Sequence, residues 1–214
     1  MSGRRGCFVV FEGLDGAGTS TQVRLLADRL RRDRPALQVS VTAEPSTGPV
    51  GSLIRQVLKG RTSAVTALGA PLPFDRRALA LLFAADRLDH VACEIQPLVE
   101  AGWVVLSDRY VWSSLAYQSL DAPMDWIAQA NRFAPAPDLL IVLEVPAGVG
   151  LSRVDASRPG REIFEHEDTL PRVADAYREA LDALPATRSC VLAGDRPVDA
   201  IAEDVWKAVR DLID

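Results

Sequence analysis

Residues 7–21 read Cys7-Phe8-Val9-Val10-Phe11-Glu12-Gly13-Leu14-Asp15-Gly16-Ala17-Gly18-Thr19-Ser20-Thr21. The stretch Cys7–Glu12 is a short β-branched and aromatic run stopped by glycine, which predicts a buried strand. From Ser20 onward, Val23, Leu26, Ala27 and Leu30 recur at helical spacing, with Arg24, Asp28, Arg29 and Arg31 on the other face. That pattern predicts an amphipathic helix. Between strand and helix, Gly13, Gly16 and Gly18 allow backbone N–H groups to turn inward around an anion, and the helix N-terminus adds its partial positive charge. The usual phosphate-loop spacing is G-x-x-x-x-G-K-S/T. Gly13 and Gly18 keep that frame, and Ser20 takes the position of the hydroxyl that binds magnesium. Thr19 stands where the lysine belongs. A glycine-rich turn without a ligand would show the same spacing, so the rest of the chain has to decide.

Outward from the loop, strand-like and helix-like segments alternate. Further strands are predicted at Val39–Ala43, Trp103–Ser107, Leu139–Glu144 and Ser189–Ala193. Helices are predicted at Leu53–Leu58, from an Asp75 cap to about Glu100 with a break or kink at Pro97, from about Ser113, over Ala147–Val154, over Thr169–Leu184 and over Val198–Leu212. Residues 60–77 lack a period and are expected to form a loop. Five short apolar strands separated by helices indicate a five-stranded parallel sheet covered on both faces, a three-layer α/β/α sandwich. No repeat or break in composition divides residues 1–214, so one domain is expected.

Composition narrows the function classes. The net charge of −5 argues against general nucleic-acid or membrane-surface binding, because both need an excess of positive field. A small anionic ligand needs only local cations. Apart from Lys59 and Lys207, every basic residue is arginine, so a cation at a chemical step should be a guanidinium. Cys7, Cys93 and Cys190 are widely spaced and odd in number, which suits a reducing compartment. No apolar run is long enough for a membrane span, and the stretch after Arg4 and Arg5 is too short for a signal-peptide core. A cytoplasmic setting is expected.

Six motifs then appear in order. FEGLDGAGTSTQ resembles the FEGxDGxGKxTQ opening of the thymidylate kinase family. Glu44-Pro45, with Gly51 and Arg55, is similar to that family's REPG and its following GxxIR. Leu82-Phe83-Ala84-Ala85-Asp86-Arg87 nearly reproduces LLFAADR. Ser107-Asp108-Arg109-Tyr110, with Ser113, Ser114, Ala116, Tyr117 and Gln118, resembles DRYxxSSxAYQ. Pro137-Asp138-Leu139 matches the approach to the next strand. Arg153, Arg158 and Arg161, with Phe164-Glu165, resemble an arginine-bearing lid at about 152–167.

The resemblance implies a P-loop nucleotide-kinase fold, phosphoryl transfer from ATP to dTMP giving dTDP, Mg²⁺ as cofactor, and a homodimer packed through the helix that carries Phe83. It implies ATP at Gly13, Leu14, Asp15, Gly16, Ala17, Gly18, Thr19, Ser20 and Thr21. It implies dTMP at Asp15, Glu44, Pro45, Arg55, Phe83, Arg87, Arg109, Ser113, Ser114, Tyr117 and Gln118. Magnesium falls to Ser20 and Asp108, partly through water, with Asp15 as a further carboxylate. Asp15, Asp108, Arg109, Arg153, Arg158 and Arg161 are the catalytic candidates, and Tyr117 is placed under the deoxyribose.

Several of these positions also have a physical reading of their own. Phe83 and Arg87 lie four apart and share a helix face, which suits stacking plus donation to a base carbonyl. A core Phe83 and an Arg87 paired with Asp86 or Glu94 would read alike. Arg109, just past a strand's C-terminal end, can grip a monophosphate in a fork. Asp108 there suits a magnesium water or a helix cap. Three arginines within nine residues around Pro159-Gly160 suit a mobile anion clamp, which phosphoryl transfer needs. The departure at Thr19 leaves two readings: arginines replace the missing charge, or the protein is a weakened, nucleotide-binding relative.

Overall fold

The computed structural model describes residues 5–157, 169–186 and 188–213. Strand β1 (Cys7–Gly13) is buried along its whole length, as its unbroken apolar run requires. It pairs in parallel with β5 (Val104–Asp108) on one side and β6 (Leu139–Glu144) on the other. β2 (Val39–Ala43) flanks β5, and β7 (Ser189–Ala193) flanks β6, giving the order β2-β5-β1-β6-β7. All four pairings are parallel, so every strand delivers its C-terminal end to one edge. Phe11 is in register with Asp108, which in turn pairs with Ala43, and Gly13 is in register with Leu143. Chain order reverses around β1, and a parallel sheet opens its ligand crevice at such a switch.

Helices cover the sheet. α1 (Thr19–Asp33) turns Val23, Leu26, Ala27 and Leu30 inward, the apolar set read from the sequence. α2 (Pro49–Leu58) and α3 (Arg76–His90) pack Ile54, Val57 and Leu79 into a satellite cluster beside Phe83. α5 (Val111–Gln118), α7 (Ala147–Ser157), α8 (Leu170–Ala183) and α9 (Val198–Ile213) follow the later strands. Among the described residues, no helix is long and apolar enough to cross a membrane.

The details depart from the sequence reading in four places. Residues 60–77 are not all loop: β3 (Ala64–Val65) and β4 (Pro71–Leu72) form a small antiparallel hairpin. Two-residue strands are too short to show a period. α6 (Met124–Ala130) has only seven residues and leaves no amphipathic signature. α5 begins at Val111, two residues before the expected start, and Asp108 does not cap it: Tyr110 occupies the N-cap and provides no side-chain cap. The break or kink expected at Pro97 falls just before it: a π-turn over Val91–Ile95 leads from α3 into α4 (Gln96–Glu100), with Pro97 in the first turn of α4. Proline lacks an N–H and its ring crowds the carbonyl four residues back, and widening the preceding turn relieves both. Asp75 caps α3 as expected, accepting from the N–H groups of Arg77 and Ala78.

The core sets a simple expectation for stability. Leu106 lies fully buried in β5, whereas Val41 on the edge strand β2 is 44% exposed. Leu106→Ala should cost about 2–5 kcal/mol, and Val41→Ala about 0.5 kcal/mol or less. Urea unfolding midpoints of the two variants measure the difference.

Candidate active site

The loop after β1 forms the cradle that its glycines anticipate. Gly16 has φ 79° and Gly18 φ 97°, both in the left-handed region that favours glycine. A Cβ on Gly16 would also lie 2.2 Å from the Gly150 carbonyl, so α7 packs directly on the loop backbone. A Cβ on Gly18 would meet nothing within 4 Å. A groove of about 430 Å³ runs over this loop, lined by Leu14, Asp15, Gly16, Gly18, Thr19, Ser20, Thr21, Arg109, Arg153 and Val154. Thr19 is buried, with its methyl carbon near Gly13. Threonine is neutral, so this position puts no charge in the groove.

Two guanidinium groups reach the groove instead. Arg153 on α7 donates to the carbonyls of Gly194 at 2.9 Å and Gly16 at 3.3 Å. Arg109 lines the same groove with φ 74°, the only non-glycine positive φ among the described residues. Its Nη2 donates to Asp15 Oδ1 at 2.6 Å, and its Nη1 to the Gly13 carbonyl and Ser113 Oγ at 3.1 Å each. Burial works against the charge of Arg109, but Tyr117, Asp15, Tyr177 and Asp108 together raise its pKa well above the usual arginine value. It is a permanent cation. Arg158 and Arg161 lie outside the described residues, as does most of the expected lid.

Arg109 also lines a second cavity, of about 120 Å³. Asp15, Glu44, Pro45, Leu58, Phe83, Arg87, Tyr110, Ser113, Ser114, Tyr117 and Gln118 complete its wall. Every residue expected at the acceptor site is therefore in one place, with one exception. Arg55 donates to the carbonyls of Pro45 and Ser46 and to Ser52 Oγ. It braces the loop after β2 and is not part of the cavity wall. Tyr117 donates to Asp15 Oδ2 at 2.9 Å and accepts from the Asp15 N–H at 3.1 Å.

Arg87 pairs with Glu44 and with neither Asp86 nor Glu94, the partners that its spacing offered. Asp86 instead accepts from the Ser46 N–H and hydroxyl. The Arg87 Nε donates to Glu44 Oε2 at 2.8 Å, one Nη donates to Asn131 Oδ1, and the other to the Tyr110 carbonyl at 3.0 Å and Ser114 Oγ at 2.9 Å. Four of its five N–H donors are engaged by the protein. The side chains of Arg87 and Glu44 are 1% and 3% exposed, so this is a fully desolvated ion pair. Gln118, on the same wall, has its Oε1 buried with no hydrogen-bond partner.

A divalent cation has a fitting place at the loop. Ser20 Oγ donates to Asp108 Oδ2, and Asp108 Oδ1 is buried without a hydrogen-bond partner. Among the described residues, no group of three or more His, Cys, Asp or Glu side chains could hold a metal by itself. One hydroxyl and one orphaned carboxylate oxygen match Mg²⁺, which keeps waters and takes its remaining ligands from substrate phosphates. Asp15, expected as a further metal carboxylate, is already committed to Arg109 and Tyr117.

Two site residues escaped the sequence reading. Asn131 follows the short α6 and had no pattern to mark it. Tyr177 lies on the buried face of α8 with Val173, Ala176 and Ala180. Its one distinguishing signal was a hydroxyl at an otherwise apolar position.

The family profile described as thymidylate kinase matches residues 11–205. A probable thymidylate kinase of Methanococcus aeolicus is 40% identical over 176 residues, covering 82% of this chain and 79% of that protein. A probable thymidylate kinase of Thermococcus gammatolerans is 37% identical, covering 97% and 98% respectively. The thymidylate kinase of Desulfotalea psychrophila is 36% identical, covering 100% and 98%. With a profile match across most of its length and relatives matched nearly end to end, this chain belongs to the thymidylate kinase family.

Proposed function

We propose that the enzyme transfers the γ-phosphoryl group of ATP to dTMP, giving dTDP and ADP. The observation that carries this reading is the placement of Arg109, which lines both the loop groove and the second cavity. A guanidinium there touches the phosphates on both sides of an in-line transfer. ATP phosphates bind over Gly13–Thr21, and the dTMP phosphate lies against Arg109. An oxygen of that phosphate attacks the γ-phosphorus, the bond to the β–γ bridging oxygen breaks, and ADP departs with that electron pair. Positioning and charge stabilisation supply most of the catalysis. Ser20 and Asp108 would hold Mg²⁺, whose charge would offset that of the phosphate oxygens.

The cavity suits a thymine nucleotide. Phe83 offers a stacking face, and Arg87 keeps one uncommitted N–H for a base carbonyl. The unpartnered Gln118 Oε1 can accept from the ring N–H. We assign to Tyr117, which lines the cavity and donates to Asp15, the role of packing under the sugar and crowding a 2′-hydroxyl. An assay of ADP release over a panel of nucleoside monophosphates tests the reading. dTMP should be preferred, dUMP should be weaker, and purine monophosphates should be inactive. Equal turnover of dTMP and dGMP would contradict it.

Arg153 is the described cation best placed to replace the charge absent at Thr19, with Arg158 and Arg161 as its proposed companions. Arginine is always charged and can bond two phosphate oxygens at once. Arg153→Ala should lower kcat at least about tenfold, near 1.4 kcal/mol of transition-state stabilisation. Thr19→Lys in that background should recover part of the loss, as read from steady-state kinetics. A wild-type protein that binds ATP and dTMP yet turns over neither would favour the weakened-relative reading.

The working form we propose is a cytoplasmic homodimer. Leu81 and Leu88, seven apart on α3, are 49% and 39% exposed, and this apolar stripe needs a cover. Light scattering at micromolar concentration should give twice the 23.2 kDa chain mass. A monomer mass would reject the dimer.

A further inference from the structure

The roles proposed above leave one buried hydroxyl at the site unused. Tyr177 Oη, brought in by α8, lies 3.0 Å from Glu12 Oε2, 3.0 Å from the Gly13 carbonyl, 2.8 Å from Ser113 Oγ and 3.3 Å from Arg109 Nη1. A phenol has one proton and two lone pairs to distribute among these partners.

Glu12 decides how they are used. Its Oε1 accepts the N–H groups of Tyr110 and Ser113 at 2.8 and 3.0 Å, and its Oε2 faces both Ser113 Oγ, at 2.6 Å, and Tyr177 Oη. A carboxylate only accepts. When it takes the protons of both hydroxyls, both must turn lone pairs away from it. The donor waiting there is Arg109 Nη1, 3.1 Å from Ser113 Oγ and 3.3 Å from Tyr177 Oη. Burial raises the Glu12 carboxyl above the ordinary carboxylate value, and the Ser113 hydroxyl and the Arg109 charge offset only part of that rise. In its ionised form Glu12 reaches the guanidinium through these two hydroxyl groups, without direct contact. An edge-to-face contact with Tyr117, ring centroids 6.0 Å apart, fixes the Tyr177 ring.

We propose that Tyr177 is a positioning residue for the acceptor phosphate: with Ser113, it relays the Glu12 charge and aims Arg109 at the junction of the two cavities. The inference rests on the reading of the second cavity as the dTMP site. It gives α8 a part in acceptor binding that none of the six sequence motifs includes.

Calorimetric titration of the full chain with dTMP and with thymidine tests the idea, because only dTMP carries the phosphate that Arg109 would hold. Tyr177→Phe keeps the ring and removes the hydroxyl. It should weaken dTMP binding about tenfold, the scale of one hydrogen bond to a charged group, and leave thymidine within about twofold. In an Arg109→Ala background the same change should alter dTMP affinity by less than about twofold, because residues that act through one another are not additive. Unchanged dTMP affinity would overturn the proposal. So would equal weakening of both ligands, or a tenfold loss that persists without Arg109. Wild-type protein that binds no dTMP would overturn the reading of the cavity and this inference with it. Should Tyr177→Phe not fold, Ser113→Ala removes the companion hydroxyl and carries the same two-ligand comparison with the same outcomes.

Discussion

The ion pair between Asp15 and Arg109 is the joint on which the site turns. It ties the loop after β1 to the end of β5 at 2.6 Å, and both cavities meet at it. An isolated surface pair contributes little to stability. This one is part of a network: Tyr117 grips the other oxygen of Asp15, and Gly13, Ser113 and Tyr177 take the remaining reach of Arg109. Opposite charges and satisfied donors hold a cation in place before any phosphate arrives. Such preorganisation lets charge act in a transition state without reorganising the protein.

A second carboxylate–guanidinium pair, Glu44 with Arg87, does different work. It is almost fully buried, where desolvation offsets much of the Coulomb attraction. Its value lies in shape. Asn131, Ser114 and the Tyr110 carbonyl surround the planar guanidinium on several elements, so the floor of the cavity is fixed by geometry that few rotamers satisfy. One pair faces phosphate chemistry and the other shapes a recognition surface.

Much of this was legible in the sequence because local signals were strong. Cys7–Glu12, Val39–Ala43, Leu139–Glu144 and Ser189–Ala193 are short apolar runs bounded by breakers, and each lies in a strand of the sheet. The glycine spacing and the run from Ser107 to Gln118 put Asp15, Arg109, Ser113, Ser114 and Tyr117 on one cavity wall. What escaped was the pairing. Nothing in the spacing of Arg87 points to Glu44 or Asn131, which approach from distant segments. Arg55 was grouped with the cavity by its motif, yet nearby carbonyls capture it first. Tyr177 reads as one more large residue on an amphipathic helix until the fold brings Glu12 and Arg109 to its hydroxyl.

The backbone of Arg109 has a consequence for how this protein can change. Its φ of 74° is a conformation that glycine or asparagine adopts far more cheaply, and strain of this kind costs on the order of 1–3 kcal/mol. Either substitution would relax the backbone, but it would leave Asp15 without its cation and Gly13, Ser113 and Tyr177 without their donor, and stripping one partner from a largely desolvated charge pair is itself destabilising. The strain is therefore tied to the network: the contacts that hold the guanidinium between the two cavities also hold the chain in a shape that arginine alone would avoid. A loosened network would free the backbone to leave that shape, so loss of any one partner should be felt at the main chain as well as at the charge.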